Sequence, residues 1–188
     1  MTVKTDVSRF HIHDELTAPE GSDKLLKSIA ASGGQISKIV GALAGSPTTL
    51  RAFARLRREL RSGLLPEQTQ VRIALAIAEK RGDGYSVAQH AREARAGGMG
   101  LDEISRARSF ESDDEAEAAL LRLLKAGVET DGHTPIYLVE EAREVDWTDE
   151  QIIEALAHVA LNEFQSLIAN ASGLPMDQTD PAILPSAA

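Results

Sequence analysis

Hydrophobic residues recur at the three- and four-residue spacing of amphipathic helices from Lys24 to about residue 171 of this 188-residue chain. No segment keeps the two-residue alternation of a strand for long. Prolines, glycines and capping residues divide the pattern into successive helices. The predicted helices start near Lys24, Ile36, Ser46, Leu65, Tyr85, Gly100, Ser112, Thr134 and Thr148. The chain is therefore predicted to be all-α.

Four of these helix starts carry N-terminal capping signals. Ser46 precedes Pro47, and Thr134 precedes Pro135, which places a hydroxyl cap before a proline at the first helical position. The segments Ser112–Glu115 and Thr148–Gln151 have the spacing of a capping box, in which the first and fourth side chains bond each other's backbone. These signals predict where the later helices begin.

Two of the predicted helices have an unusual distribution of polar residues. The segment Val71–Ala78 is apolar almost all round apart from Arg72, which is typical of a buried helix. The helix from Thr48 to about Ser62 is basic on one side. That side could hold an anionic ligand, but a solvated or subunit-facing surface is the simpler interpretation. Its arginines are Arg51, Arg55, Arg57, Arg58 and Arg61.

The two ends of the chain lack helical periodicity. Residues 1–22 are predicted to form an extended arm, residues 23–175 a helical domain, and residues 176–188 an irregular tail that contains prolines. His11 and His13 would share a face if the arm were a strand, and they could then bind a metal. More often, histidines in such a segment are simply exposed on an arm, and we predict no metal site and no cofactor.

Composition excludes several kinds of function. The net charge of -9 and the pI of about 5.0 disfavour binding to nucleic acid or to an anionic membrane. The absence of cysteine excludes disulfides, thiolate metal sites and a thiol peroxidase cycle carried by this chain alone. No apolar run approaches the roughly 20 residues of a membrane span. The N-terminus lacks the apolar core of a signal peptide, and we expect a cytoplasmic protein.

A shift of 48 residues brings two parts of the chain into register. Asp83-Gly84 falls on Asp131-Gly132, and Glu93-Ala94-Arg95 falls on Glu141-Ala142-Arg143. This similarity predicts a repeated helix pair joined by an Asp-Gly turn. His90 falls on Leu138, so the histidine is specific to the first copy. A polar residue present in one copy only is a candidate for function.

Asp83, Ser86 and His90 are spaced to lie on one face of a helix, and we predict that they are catalytic. His90 would transfer protons, and Asp83 would orient it or act as a base. The structural alternative makes Asp83 a helix cap, Ser86 a first-turn residue and His90 a partly buried histidine. A Ser-His-Asp hydrolase would need a strained serine turn, which the sequence does not show. A metal site would need further ligands.

Several stretches resemble the carboxymuconolactone decarboxylase and alkylhydroperoxidase D-like (AhpD-like) superfamily. They lie within residues 46–180, and the resemblance implies an all-helical AhpD-like bundle that assembles as a dimer, trimer or hexamer. They include Leu65-Pro66-Glu67, Gly82-x-x-Tyr85, His90, Gly100-Leu101-Asp102-Glu103-Ile104, Trp147 to Ala155 and Val159 to Phe164.

The peroxidase branch of this family has a glutamate followed by Cys-x-x-Cys-x-x-x-His. Registration on Tyr85 and His90 places the cysteines at Asp83 and Ser86 and the glutamate at Val71, so only the histidine is kept. Ser86 could be an engineered replacement of a cysteine, but Asp83 and Val71 would still differ from the motif. Without thiols the chain cannot run that branch's redox cycle.

The decarboxylase branch uses acid–base chemistry, with a histidine at the position of His90. We therefore predict a lyase- or isomerase-type enzyme that uses His90 on a small organic acid or lactone. Tyr85 would contact that substrate, and Arg72 would hold its carboxylate. The alternative is a non-catalytic oligomer that binds a small molecule or serves as a scaffold, and alkylhydroperoxidase activity is a third, weaker hypothesis. Neither nucleic acid nor membrane is an expected partner.

Overall fold

The computed structural model describes residues 8–31 and 34–176, and all regular elements in this part of the chain are helices. The prediction of an all-α fold is confirmed. The helices are α1 (Asp23–Ala31), α2 (Lys38–Leu43), α3 (Pro47–Arg61), α4 (Glu67–Lys80), α5 (Gly84–Ala96), α6 (Leu101–Arg108), α7 (Glu115–Glu129), α8 (Ile136–Glu144) and α9 (Asp149–Ser172).

Helix α4 forms the centre of the bundle and packs against α5, α6 and α9. Every residue from Arg72 to Ala78 is buried, as its nearly uniform apolar sequence predicts. Helix α9 has 24 residues and is about 36 Å long, so it contacts both halves of the fold. On its other side it meets α7, which packs on α8. The indole of Trp147 lies in this region and donates to the carbonyl oxygen of Ala116 at 2.7 Å.

Two predicted caps are confirmed, and two are wrong. The hydroxyl of Ser46 accepts from the backbone of Thr49, and Thr148 forms the full capping box with Gln151. The box predicted at Ser112 does not form, because the carboxylate of Asp114 takes the capping position and accepts from the backbone of Glu117 at 3.0 Å. Thr134 is not a cap either, since the N-cap residue of α8 is Pro135.

The repeated helix pair corresponds to α4–α5 and α7–α8, but the two connections differ. Gly82 has a φ of 62°, which allows Asp83 to adopt a φ of -87° and cap α5 directly. In the second copy Asp131 and Gly132 themselves have positive φ values of 52° and 91°. The matching Asp-Gly letters therefore serve different turns.

The described part of the N-terminal arm returns to the helical domain. The backbone of Arg9 donates to the carbonyl oxygen of Ser172 at 2.7 Å, and that of His13 donates to Gly41 at 3.0 Å. A Cβ at Gly41 would lie 2.6 Å from Ile12, so this close approach needs glycine. Residues 1–7 of the predicted arm and 177–188 of the predicted tail lie outside the described residues.

The two histidines of the arm contact each other. The rings of His11 and His13 meet edge to face, and Nδ1 of His13 lies 2.8 Å from the carbonyl oxygen of Thr17. Within residues 8–31 and 34–176, no three histidine or carboxylate side chains lie close enough to hold a metal ion. In the same ranges, no helix has the length and hydrophobicity needed to cross a bilayer.

Candidate functional site

A cleft of about 500 Å³ lies between helices α3, α4, α5 and α9. Its volume is within the range of small-ligand sites. Apolar residues of α4, including Val71 and Ala74, form part of its wall. Its polar lining comes from all four helices, and includes Glu67, Gln68, Gln70, Arg57, Arg61, His90, Glu93, His158, Asn162 and Gln165.

Helix α5 brings His90 to the cleft. Asp83 is the N-cap residue of α5, and its carboxylate oxygen Oδ1 accepts a hydrogen bond from the backbone N–H of Ser86 at 3.0 Å. Ser86, His90 and Glu93 follow at intervals of four and three residues, so they share one helix face. The side chain of His90 is 8% exposed, whereas that of Glu93 is 41% exposed. The face thus runs from a buried hydroxyl to a partly solvated carboxylate.

Both ring nitrogens of His90 have neighbours that define its tautomer. Nδ1 lies 2.8 Å from Oε2 of Glu93, and because a carboxylate only accepts, Nδ1 carries the proton. Nε2 lies 3.4 Å from the amide nitrogen of Gln165, which also donates to the hydroxyl of Ser86 at 3.2 Å. In the neutral ring, Nε2 is therefore an acceptor. The contact at 3.4 Å is long, so a ligand can displace it.

Glu93 is ionised across the physiological pH range. Burial by itself would raise its pKa, but the hydrogen bond and charge of His90, a hydrogen bond from Gln89 and the charge of Arg57 lower the pKa to about 2. A carboxylate next to the ring holds the imidazole in one orientation and stabilises the imidazolium that forms when Nε2 accepts a proton.

Helix α9 supplies the opposite wall. His158, Asn162 and Gln165 are spaced four and three residues apart and are all buried along the cleft. The amide of Asn162 donates to the backbone carbonyl oxygen of His158 at 2.8 Å. His158 and Gln165 are separated by about 10 Å along the helix axis. The cleft therefore has His158 near one end of this wall, and His90 of α5 lies beside Gln165 at the other end.

His158 has an unusual environment for a cleft residue. It is 5% exposed, and its Nε2 is buried without a hydrogen-bond partner among the described residues. Burial lowers the pKa of His158, while the charge of Glu154 and a hydrogen bond with the Leu60 backbone oppose that change. The fold therefore favours the neutral ring.

The arginines of α3 that border the cleft are Arg57 and Arg61. Arg57 is half-buried and makes no hydrogen bond or ion pair with any residue that the structure describes. Arg61 is exposed and lies 3.8 Å from Glu67. Part of the predicted basic stripe therefore faces the candidate site, in a chain that is otherwise acidic.

Of the residues predicted as catalytic, only His90 borders the cleft. Ser86 lies behind it and reaches the site through Gln165. Asp83 is 1% exposed and caps α5, and its second oxygen, Oδ2, is buried without a partner among the described residues. The catalytic roles of Asp83 and Ser86 stay predictions, and their contacts in the structure fit capping and support of Gln165.

The two predicted substrate contacts also lie away from the cleft. Tyr85 belongs to a hydrophobic cluster with Leu26 and Phe53. Arg72 is buried among carboxylates: its Nε donates to Glu103 at 3.0 Å, and Nη1 lies 3.6 Å from Glu117. Burial raises the pKa of Glu117, which a hydrogen bond from Thr69 and the charge of Arg72 oppose. Arg72 thus joins α4 to α6 and α7, and its contact with substrate stays a prediction.

Most of the cleft's polar residues were not among the predicted site residues. Glu93 had a local signal, because it lies one helical turn after His90. Gln165 is 75 residues from His90 in the chain, and His158 is 68 away, so only the tertiary fold brings them together. Val71, which takes the place of the peroxidase branch's glutamate, does border the cleft.

A comparison with protein-family models assigns the central part of the chain. Residues 47–129, from the start of α3 to the end of α7, match the model of the carboxymuconolactone decarboxylase family. This segment is similar to the members of that family. The resemblance seen in the sequence is confirmed, and this chain has no cysteine. Among curated proteins, none matches this chain.

Solved structures show that the fold extends over nearly the whole chain. An alkylhydroperoxidase AhpD core, described as an uncharacterized peroxidase-related protein of Ralstonia eutropha, covers 92% of this chain and 93% of its own, with a TM-score of 0.77 and 20% identity. A peroxidase-related protein from a Silicibacter species covers 90% and 93%, with a TM-score of 0.76 and 15% identity. The debrominase Bmp8 in complex with 2,3,4-tribromopyrrole covers 87% and 88%, with a TM-score of 0.68 and 19% identity. These similarities show an AhpD-like fold.

Proposed function

We propose that this protein catalyses a cysteine-independent acid–base reaction, of the lyase or isomerase type, on a small organic acid or lactone. The observation that supports the proposal most strongly is the His90–Glu93 pair on the wall of a cleft of about 500 Å³. Nε2 of His90 is the proton acceptor, and Glu93 orients the imidazole ring through Nδ1. Arginines at the edge of the cleft attract an anionic substrate.

Such a reaction needs only proton movement at Nε2 of His90. In an isomerisation, Nε2 removes a proton from the carbon beside a carbonyl group, the electron pair of that C–H bond enters the enolate, and the imidazolium returns the proton at another carbon. In a decarboxylation, the electron pair of the broken C–C bond stays on the adjacent carbon as carbon dioxide leaves, and the imidazolium protonates that carbon. In both reactions the protons and electron pairs balance without a thiol.

The substrate class is supported by the cleft and by the comparisons. The name of the family model points to a carboxylated lactone, and the debrominase with the same fold holds 2,3,4-tribromopyrrole, a single small ring. A ligand of that size fits between α5 and α9. His158 would then contact the end of the ligand farther from Gln165 with a neutral ring.

The proposal is tested by turnover on a panel of β-keto acids, unsaturated dicarboxylates and carboxylated lactones, followed by carbon dioxide release and by NMR of the products. Replacement of His90 by Gln should lower kcat/KM for any substrate found by about 10²- to 10⁴-fold. The matched control is His133→Gln, an exposed histidine outside the cleft, which should leave turnover unchanged.

Two results would overturn this proposal. Saturable binding of panel members without any turnover would favour the non-catalytic binding protein. Turnover of an organic hydroperoxide by metal-free protein, abolished by His90→Gln, would show that the site retains peroxide chemistry without thiols.

Self-association is a second part of the proposal. Apolar side chains stay exposed on and near α9, at Leu64, Ile153 and Leu156. A second copy of the chain would cover them and remove apolar surface from water. Measurement of the mass in solution should give a dimer, trimer or hexamer. A strict monomer at micromolar concentration would count against this part.

A further inference from the structure

A second cavity, of about 310 Å³, lies beside the His90 cleft. Its floor is apolar and is built from α1, α2 and α3, and its rim is basic. The floor consists of Leu25, Ile29, Val40, Leu50, Phe53 and Ala54. Three arginines, Arg57, Arg58 and Arg61, form the rim, and Arg57 and Arg61 also border the first cleft. We refer to this cavity as the α1–α3 groove.

The charge of the rim is opposite to that of the whole protein. The chain carries a net charge of -9, yet α3 holds five arginines and a single acidic residue, Glu59. Arg58 pairs with Glu59 at 2.9 Å, and both are well exposed, so that pair is weak. Arg57 has no ion-pair partner among the described residues, although it is half-buried. Its charge acts on Glu93 across the first cleft, but no carboxylate lies within ion-pair distance of it in the described residues, so it can take an anion from the groove side.

We propose that the α1–α3 groove binds an unbranched aliphatic carboxylate, with its carboxylate on Arg57 and Arg61 and its tail along Leu25 and Phe53. An apolar floor beside guanidinium groups complements an apolar chain that ends in a single anion. A purely ionic ligand would leave the floor exposed to water, and a neutral lipid would place no anion against the arginines of the rim. The inference goes beyond the acid–base proposal, because the groove holds this ligand whether or not His90 reacts with it.

The test uses calorimetric titration of the full-length protein with sodium butanoate, hexanoate and octanoate below their micelle concentrations. Each methylene added to the tail should tighten binding about fourfold until the groove is filled. Octan-1-ol, which has the tail without the charge, should bind at least tenfold more weakly than octanoate.

Matched variants separate the two halves of the groove. Arg57→Gln should weaken octanoate about tenfold, whereas Arg51→Gln, an exposed arginine of the same helix outside both cavities, should leave it unchanged. Leu25→Ala should reduce the gain per methylene and keep butanoate binding. Thermal unfolding of each variant establishes that it is folded before titration.

Three outcomes would overturn the inference. Affinity that does not depend on chain length would show that the floor is not used. Equal effects of Arg51→Gln and Arg57→Gln would show a diffuse electrostatic attraction. Octanoate binding that disappears as the protein assembles at higher concentration would show that a second copy covers the groove. His90→Gln should retain octanoate binding, so failure of the acid–base proposal is distinguishable from failure of this one.

Discussion

Replacement of His90 by Gln tests the electrostatics of the candidate site directly. Oε2 of Glu93 lies 2.8 Å from Nδ1 of His90. Two opposite unit charges at that distance attract by about 1.5 kcal/mol at the dielectric constant of water. Because the carboxylate is 41% exposed, solvent and salt screen the pair, and we expect a net contribution of about 1 kcal/mol.

The expected result is a change in the titration of Glu93. Its pKa of about 2 should rise by about one in the variant, since about 1.4 kcal/mol corresponds to one pH unit. The hydrogen bond from Gln89 and the charge of Arg57 stay, so the pKa should remain below its ordinary value of 4.5. The assay is a pH titration of ¹³C-labelled glutamate carboxyl signals in the wild type, in His90→Gln and in the control His133→Gln.

The same lowered pKa contributes to stability. Because the folded-state pKa of Glu93 lies below the unfolded value, its contribution is fully present above pH 4.5 and is lost as the pH falls towards 2. This acid-dependent part of the unfolding free energy should shrink in His90→Gln. If Glu93 titrated near 4.5 in the wild type, or identically in both proteins, the assigned pairing of Glu93 with His90 would be refuted.

Three further predictions concern capping, packing and pH. Asp83→Ala should lower the unfolding free energy in urea by about 1–2 kcal/mol through loss of the α5 cap, and Asp83→Asn, which keeps an acceptor oxygen, should cost much less; equal losses would contradict the capping role. Gly41→Ala should destabilise by about 1–3 kcal/mol because its Cβ would meet the arm, while Gly100→Ala, whose Cβ meets open space and which loses only a glycine N-cap of α6, should cost less than about 1 kcal/mol in the same unfolding assay. Burial lowers the pKa of His158 below 6.5, so unfolding free energy should fall as the pH drops through 6.5 in the wild type. His158→Gln should lose that part of the pH dependence, and an unchanged pH profile would show that the ring is not held neutral.

The fold was largely predictable because its helices carry local signals. The apolar segment of α4 predicted a buried helix, and the Ser46 and Thr148 caps predicted where α3 and α9 begin. The errors were local as well. Asp114 caps α7 in place of Ser112. Its carboxylate lies three residues before Glu117 and is as good an acceptor for that backbone N–H as a hydroxyl would be.

Only the site residues that lie on one helix, α5, could be predicted from the sequence. His90 stood out because its repeat counterpart is Leu138, and its place on the cleft agrees with that signal. Its partners on α9 could not be read from the sequence, because their contact depends on how α5 and α9 pack. Arg72 shows the converse: a lone arginine in an apolar helix suggested a ligand contact, yet the fold surrounds it with Glu103 and Glu117.

The central claim is that the cleft beside His90 binds a small organic acid. The most direct measurement is a titration of ¹⁵N-labelled protein with succinate at constant pH and ionic strength, followed through the imidazole nitrogens of all five histidines. We predict saturable shifts at His90 and His158, with His11, His13 and His133 unchanged. No saturable shift at His90, or equal shifts at His133, would contradict the claim.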